Sequence, residues 1–331
     1  MTSISDRSHI LQLIHDEDTS FEDKALELYR YHVRYNTHYR SFISSVRYNE
    51  FIPQTVSEIP FFPIHLFKNL VIQAGDWTPE VTFYSSGTTA ATRSEHHVRS
   101  ISDYTANARR IWSQHFDSVE QYAFLSLLPN YHANPSSSLL CMVEDFMTRG
   151  RLKRPHYYLD DLDALHHHLA RLDGEGQQVV LFGVSFALLD YIEQHSHTFV
   201  NTPIIIETGG MKKHRREITR EELHDKLKEA FVGARIISEY GMTECMSQLY
   251  CLDGKHFQHN NRMRGLIADP TDPLTILPPG IRGRINLIDL ANVDTMPFIS
   301  TDDLGIVHQD GLEILGRLDA SDQRGCNYLI G

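Results

Sequence analysis

Cysteine is scarce in this sequence, and its spacing excludes the usual cysteine-based sites. The chain has 331 residues and four cysteines, none of which forms a CxxC pair: Cys141, Cys245, Cys251 and Cys326. A chain of this length can bury a sufficient core without disulfides. We therefore expect free thiols and a reducing, cytoplasmic environment.

Long apolar runs and an excess of positive charge are also missing. The N-terminal residues MTSISDRSHILQLIHDEDTS contain no apolar core with a small-residue cleavage site, so we expect no secretory signal. No stretch approaches the roughly 20 apolar residues that a membrane-spanning helix needs. With 31 Lys and Arg against 43 Asp and Glu, the formal net charge is −12, which argues against nucleic acid as a partner.

The 20 histidines do not form a zinc motif. HExxH is absent, and the consecutive His166, His167 and His168 lie in a helical pattern. Adjacent residues on a helix point about 100° apart, so these three side chains cannot converge on one ion. We interpret them as a solvated helical face.

The pattern of apolar residues predicts an α/β fold. Residues 5–48 have amphipathic helical spacing, and the proline-rich residues 51–67 indicate an extended segment. Short apolar runs then alternate with helical patterns, which indicates βαβ units and a parallel sheet buried on both faces. The predicted strands lie in AFLSLLP (123–129), QQVVLFG (177–183), TPIIIETGG (202–210) and ARIISEYG (234–241).

Three segments follow from these patterns. Residues 1–80 form a helical and extended N-terminal segment, and residues 81–265 form the α/β core. After about residue 265, short strands broken by Pro and Gly predict a β-rich subdomain over 266–331. Ligands of parallel sheets bind beyond the carboxyl ends of the strands, which is where TGGMKK and SEYGMTE lie.

The hydroxyl-rich run SSGTT is the first candidate phosphate site. Gly87 permits close backbone approach, and four hydroxyls add donors around an anion: Ser85, Ser86, Thr88 and Thr89. The P-loop pattern GxxxxGK[ST] and its lysine are missing, which argues against an ordinary ATPase or kinase. Taken alone, the run is a weak signal that favours a hydroxyl-rich turn over a phosphate site.

Three further motifs carry groups that suit a nucleotide. In SEYGMTE, Tyr240 can stack on a base, Thr243 can donate to a phosphate, and Glu244 can bind Mg²⁺. The alternative is a strand-to-helix turn with Glu244 near the helix N-terminus. In STDDLG, Asp303 can accept from ribose hydroxyls, and in GRLDASDQRGC, Arg317 can donate to a ribose or phosphate oxygen.

The four motifs in this order resemble the adenylate-forming superfamily, whose members activate carboxylates as acyl-AMP. IPFFPIHLFK, SSGTT, TGGMKK, EYGMTE followed by SQ, and a terminal RGC resemble most closely the LuxE acyl-protein synthetases, relatives of the phenylacetate-CoA ligases. The resemblance runs from about residue 20 to the C-terminus. It favours a phosphate cradle over a solvated turn for SSGTT.

The resemblance implies a fold and a set of roles. The fold is a large N-terminal adenylate-forming domain, of parallel α/β layers with a β-rich subdomain, that ends at the hinge motif without the small C-terminal lid. The hydroxyl run would bind the β- and γ-phosphates, and Thr243 and Glu244 would act on the α-phosphate and Mg²⁺. The other implied nucleotide contacts are Gly209, Gly210, Tyr240 and Gly241 at the adenine, and Asp303 and Arg317 at the ribose.

Other positions keep two interpretations. His132, in LLPNYHANP, either lies beside the carboxylate substrate or is a hydrogen-bonded loop residue. Lys212 and Lys213 either neutralise phosphate or form a solvated pair. The residues 181–192, with Gly183 and Ser185, either line an apolar acyl pocket or form a strand that turns into a core helix.

The sequence also departs from the superfamily pattern. Asp302 stands where the family's TGD-type motif has glycine, and GRLDASDQRG is one residue shorter than the common spacing and lacks its lysine. The chain ends six residues after Gly325. We expect the small C-terminal domain with its catalytic lysine to be absent.

The leading functional hypothesis is an ATP- and Mg²⁺-dependent enzyme that activates a carboxylic acid. The family resemblance implies that this acid is a fatty acid. The resemblance also implies a thioester on a cysteine near the C-terminus, which points to Cys326, and delivery to a partner protein or carrier. A cysteine near a terminus is otherwise usually inert. The alternatives are a ligase that uses free coenzyme A and a non-catalytic nucleotide-binding scaffold.

Overall fold

The computed structural model describes residues 4–46, 52–85, 93–129, 134–209, 218–309 and 311–318. The chain divides into two compact units. We call Met1–Tyr104, Thr243–Ser247 and Gln258–Gly331 the first unit, and Thr105–Met242 and Gln248–Phe257 the second unit. The predicted division at residues 80 and 265 stays a prediction about domains.

The described residues contain eight α-helices and fifteen strands. The helices are α1 (Ile4–His15), α2 (Phe21–Tyr35), α3 (Thr37–Val46), α4 (Ile101–Trp112), α5 (Ser138–Arg149), α6 (Leu162–Gly174), α7 (Ser185–Ile192) and α8 (Arg220–Ala230). Three short 3₁₀ helices span Val56–Glu58, Ile64–Lys68 and Val119–Gln121. The strands are β1 (Phe62–Pro63), β2 (Val81–Tyr84), β3 (Glu95–Val98), β4 (Ala123–Leu127), β5 (Val179–Val184), β6 (His197–Thr198), β7 (Ile204–Thr208), β8 (Phe231–Val232), β9 (Arg235–Tyr240), β10 (Leu249–Cys251), β11 (Phe257–Gln258), β12 (Met263–Ala268), β13 (Arg282–Asp289), β14 (Phe298–His308) and β15 (Gly311–Arg317).

The second unit is built on a parallel sheet. Its strands lie in the order β4-β5-β7-β9, each parallel to its neighbour, and β10 adds to β9 in the antiparallel direction. All residues of β4 and β7 are buried, as expected for strands covered on both faces. The four predicted strands and their parallel order are confirmed.

Helices of the second unit pack their apolar stripes onto this sheet. Leu165 and Leu169 of α6 share a buried core with Leu181 of β5 and Leu227 of α8. The N-terminus of α8 is capped by the Thr219 side chain, which accepts from the amide of Glu222. The burial of these helical faces fixes the strand order and so brings the carboxyl ends of the strands to one edge.

The three consecutive histidines of α6 each have a different neighbour. His166 stacks on His195, His167 Nδ1 donates to the carbonyl of Asp163, and His168 contacts the Tyr158 hydroxyl. These directions confirm that the three rings do not converge on one point.

The first unit joins N-terminal helices to an antiparallel sheet. Strands β12, β13, β14 and β15 pair in chain order, and β1 pairs with β14 in the parallel direction. Tyr29 of α2, Tyr39 of α3 and Phe298 of β14 form an aromatic cluster that fixes the helices to this sheet. The predicted β-rich character after residue 265 is confirmed.

Among the described residues, no helix is long and apolar enough to cross a bilayer.

Candidate functional site

The hydroxyl run is carried by a two-stranded hairpin of the first unit. Strands β2 and β3 pair antiparallel, with Tyr84 opposite Glu95. The Ser85 amide donates to the carbonyl of Ser94 at 3.1 Å, and the Ser94 amide donates to the Ser85 hydroxyl at 3.0 Å. These bonds fix the two ends of the segment that contains the remaining hydroxyls. Ser86, Gly87, Thr88 and Thr89 themselves lie outside the described residues.

The segment 243–247 of the first unit has neither helix nor strand, yet side chains bind its backbone. His96 Nδ1 donates to the carbonyl of Thr243 at 2.7 Å, and Asn292 Nδ2 donates to the carbonyl of Glu244 at 2.8 Å. Residues 241–248 form turns and irregular backbone that lead into β10, so no helix follows Tyr240. The strand-to-helix alternative for this motif is therefore wrong.

Burial sets the charge state of His96. The ring is fully buried, and this burial lowers the pKa of His96 to about 4. The ring is therefore neutral at pH 7, and its proton lies on Nδ1, where the Thr243 carbonyl accepts it. Nε2 lies 3.3 Å from the Asn292 amide oxygen, which is a longer contact.

Glu244 is a buried carboxylate in this segment. Its side chain is 5% exposed, and burial raises the pKa of Glu244, opposed by a hydrogen bond from the Ser94 hydroxyl. Arg317 and Lys68 also act to lower the pKa of Glu244 through their charges. A carboxylate whose charge is disfavoured by burial gains from a nearby cation, so Glu244 fits the role of a Mg²⁺ ligand.

Asp289 fixes the end of the same segment, and sequence reasoning missed it. Its carboxylate accepts from the amides of Met246 at 2.7 Å and Ser247 at 3.1 Å, and from the Ser247 hydroxyl at 2.6 Å. Burial raises the pKa of Asp289 to about 6, and these donors oppose the rise. Nothing in the sequence pattern distinguishes Asp289 from other strand-end acids, because its partners lie 42 and 43 residues away.

Two of the predicted ribose contacts lie side by side in the first unit. Asp303 of β14 is directly opposite Arg317 of β15, and Arg317 Nε lies 3.8 Å from Asp303 Oδ1. Asp302 points away from this pair, with its carboxylate 3.5 Å from Arg284. The Arg317 side chain is 87% exposed, so it is accessible to a ligand.

The predicted adenine contacts lie at the carboxyl ends of strands in the second unit. Gly209 follows β7 with φ of +76°, a left-handed conformation that favours glycine. Tyr240 ends β9 and lies beside Phe257, with ring centroids 5.7 Å apart. A Cβ on Gly241 would lie 2.7 Å from Glu239 Oε1, so a larger residue there would displace the end of the Glu239 side chain.

Sequence reasoning also missed two buried carboxylates at this edge. Glu207, the residue before the last of β7, lies beside Ser238 of β9, and Glu239 lies beside Thr208. The Thr208 hydroxyl donates to Glu239, while burial, helped by the charge of Glu207, raises the pKa of Glu239 to about 7. His224 Nε2 lies 3.8 Å from Glu207 and 2.9 Å from the Ser238 hydroxyl. The sequence did contain a signal for these two carboxylates, because each is an ionisable residue inside an apolar run, IIIET or RIISEY.

The space expected at Gly183 is filled by core packing. A Cβ there would lie 2.6 Å from Cγ of Leu188, and Ser185 donates to Glu207 at 3.1 Å and to the Gly209 carbonyl at 2.8 Å. Residues 185–192 form α7. Gly183 therefore accommodates the close approach of Leu188 on α7, which favours the strand that turns into a core helix.

Several candidate residues lie outside the described part of the chain: Ser86, Gly87, Thr88, Thr89, His132, Gly210, Lys212, Lys213 and Cys326. Their roles stay predictions. The three described cysteines, Cys141, Cys245 and Cys251, are buried and form no disulfide with one another.

Comparison with known proteins identifies the family. The model of the acyl-protein synthetase LuxE matches residues 146–331, more than half of the chain. The chain belongs to the LuxE family. A LuxE-type relative from Vibrio harveyi, the long-chain-fatty-acid–luciferin-component ligase, is 25% identical over 90% of this chain and 84% of its own length.

Solved structures show that this LuxE-family chain has the adenylate-forming fold. ATP-bound MatB from Rhodopseudomonas palustris matches 73% of the chain with a TM-score of 0.52 and 18% identity. O-succinylbenzoate coenzyme A synthetase from Bacillus subtilis, in complex with ATP and magnesium, matches 71% with a TM-score of 0.51 and 16% identity. The chain covers 49% of the length of each of these two structures.

Proposed function

We propose that the chain activates a carboxylic acid with ATP. A carboxylate oxygen attacks the α-phosphorus, the bond between the α- and β-phosphates breaks, and acyl-AMP and pyrophosphate form. Membership of the LuxE family supports this reaction. The name of the Vibrio harveyi relative supports a long-chain fatty acid as the substrate.

One observation carries the proposal. Glu244 is a buried carboxylate on a segment that is held by side chains of the same unit, and its pKa is raised by burial. Mg²⁺ bound there would offset the charge that develops on the phosphate oxygens. Glu244 would hold the ion, and the Ser94 hydroxyl would orient the carboxylate.

The other residues are proposed to bind and orient the nucleotide. The hydroxyl run from Ser85 onwards would bind the departing pyrophosphate, and Thr243 would donate to the α-phosphate. Asp303 and Arg317 would bind the ribose, supported by their position on neighbouring strands. Tyr240 would stack on adenine beside the glycines 209, 210 and 241. His132 would contact the acid.

A second step is proposed on Cys326. Its thiolate attacks the acyl carbon, the bond to AMP breaks, and a thioester remains for delivery to a partner protein or carrier. The burial of the other three cysteines supports this choice. Burial also raises the pKa of the Cys245 and Cys251 thiols, which makes them poor nucleophiles.

Exchange of labelled pyrophosphate into ATP tests the proposal. A panel of fatty, aryl and amino acids is supplied in turn, with Mg²⁺ and without added coenzyme A. Exchange that depends on a fatty acid supports the proposal. If a thioester product then forms only when free coenzyme A is added, the ligase alternative is favoured. The absence of exchange with every acid would favour a non-catalytic nucleotide-binding protein.

A further inference from the structure

Strand β3 and the residue before it direct two side chains at the segment that carries Glu244. Ser94 and His96 are two residues apart, so their side chains project from the same face of the hairpin. Both are buried, whereas the intervening Glu95 is partly exposed. Ser94 contacts the Glu244 carboxylate, and His96 contacts the Thr243 carbonyl at 2.7 Å.

A second support reaches the same segment from the chain beyond β13. Asn292 Nδ2 donates to the carbonyl of Glu244 at 2.8 Å and to that of Met296 at 2.9 Å. Both protons of this amide are therefore engaged by backbone acceptors. Two consecutive carbonyls, those of Thr243 and Glu244, are each bound by a buried side chain.

These contacts replace the backbone bonds that a helix or strand would provide. Buried backbone groups need partners, and an irregular segment obtains them from side chains. The peptide planes on both sides of the Glu244 Cα are thereby fixed, and the Ser94 hydroxyl fixes the far end of the side chain. Such an arrangement holds one carboxylate in one direction before any ligand binds.

We propose that Ser94, His96 and Asn292 are positioning residues that orient Glu244 for a divalent cation. This inference rests on the proposed function. His96 acts through its Nδ1–H bond to the Thr243 carbonyl, and it touches neither the cation nor the substrate. Groups that orient a metal ligand typically change metal affinity by about 10- to 100-fold when they are replaced.

Two substitutions at His96 distinguish the role of Nδ1 from that of Nε2. His96→Asn places an amide nitrogen near the position of Nδ1, whereas His96→Gln places one near the position of Nε2. We expect His96→Asn to keep the bond to Thr243 and His96→Gln to lose it. His97→Gln is the matched control. His97 is also a histidine of β3, but its side chain lies on the opposite face of the strand.

The test measures Mn²⁺ binding in the presence of ATP and without acid, by the water-proton relaxation enhancement that protein-bound Mn²⁺–ATP shows over Mn²⁺–ATP alone. Thermal unfolding of each variant gives its folded fraction. We expect His96→Gln to weaken Mn²⁺ affinity by about tenfold, and His96→Asn and His97→Gln to stay within about twofold of the parent. Ser94→Ala should weaken affinity in the same direction as His96→Gln.

Equal Mn²⁺ affinity in folded His96→Gln and His96→Asn would overturn the inference. Loss of folding in both His96 variants would also overturn it, because His96 would then support the whole unit and not the direction of one segment. A parent chain that binds no Mn²⁺ with ATP would instead count against the metal assignment of the proposed function.

Discussion

Asp303 and Arg317 lie directly opposite each other on β14 and β15, although they belong to two separate sequence motifs. Their side chains approach to 3.8 Å between Nε and Oδ1. Because Arg317 is largely exposed, this ion pair contributes little to stability. The pair places an acceptor and a donor side by side, which is the arrangement that the proposed ribose contact needs.

The first prediction concerns this pair. Asp303→Asn should raise the KM for ATP by about tenfold, in line with the loss of a hydrogen bond to a charged group. Asp302→Asn is the matched control, because Asp302 lies next in the chain but pairs with Arg284. The measurement is the ATP dependence of pyrophosphate exchange, with the melting temperature recorded for each variant. Equal KM values for ATP in the two variants would contradict a contact between Asp303 and the nucleotide.

The second prediction concerns the pH dependence of stability. Burial raises the pKa of Glu239 to about 7 from an ordinary value of 4.5. The folded chain therefore binds more protons than the unfolded chain between about pH 4.5 and 7. The stability that Glu239 contributes is present at the acid end of this window and is lost as the pH rises through 7.

Glu239→Gln mimics the protonated carboxyl and should remove this pH dependence. Between pH 5 and 8 we expect the parent to lose roughly 2–3 kcal/mol more unfolding free energy than the variant. Urea unfolding at the two pH values measures the difference. Asp289, whose pKa is raised to about 6, contributes in the same direction in both proteins, so it cancels from the comparison. Parallel pH profiles would contradict the assignment.

The third prediction concerns the acyl acceptor. Cys326→Ser should retain acid-dependent pyrophosphate exchange but lose hydroxylamine-sensitive labelling from radioactive fatty acid and ATP. Cys141→Ala is the control, because Cys141 is buried in α5 and should not accept the acyl group. Persistent labelling of the Ser variant would show that another cysteine is the acyl acceptor. A parent chain that never labels would favour direct transfer to coenzyme A or a partner.

The fourth prediction concerns the close packing at Gly183. Gly183→Ala places a methyl group where Leu188 already lies, at 2.6 Å, and should destabilise the chain by about 1–3 kcal/mol. The same substitution in a Leu188→Ala background should cost much less, because the smaller side chain removes the clash. Urea unfolding of the four proteins of this cycle measures the coupling. Additive costs would show that the two positions do not share space.

The apolar pattern predicted the parallel strands because burial on both faces leaves a direct trace in the sequence. It could not predict that His96 binds the Thr243 carbonyl, since the two residues are 147 positions apart and neither belongs to a periodic pattern. Glu239 was missed for a related reason. Its environment depends on Glu207 and Thr208 of the neighbouring strand, and strand neighbours are a property of the folded sheet.

Gly183 shows the limit of interpreting a small residue at the end of a strand. A glycine there fits both an open pocket and the close approach of a helix, and the sequence alone does not distinguish them. The position of Leu188 on α7 decides between the two. The role of Glu244 stays a prediction, and the residues that support its segment, His96 and Asn292, became visible only in the fold.

The charge of Glu244 is the most direct point at which to test the account. Glu244→Gln keeps the shape of the side chain and removes the charge that would bind Mg²⁺. Glu229→Gln is the matched control, because Glu229 is an exposed glutamate on α8. The measurement is fatty-acid-dependent exchange of pyrophosphate into ATP, with folding monitored by circular dichroism. We predict that Glu244→Gln lowers the rate by at least ~100-fold, equivalent to about 2.7 kcal/mol, and that Glu229→Gln leaves it unchanged. A folded Glu244→Gln variant that exchanges pyrophosphate at the parent rate would contradict the account.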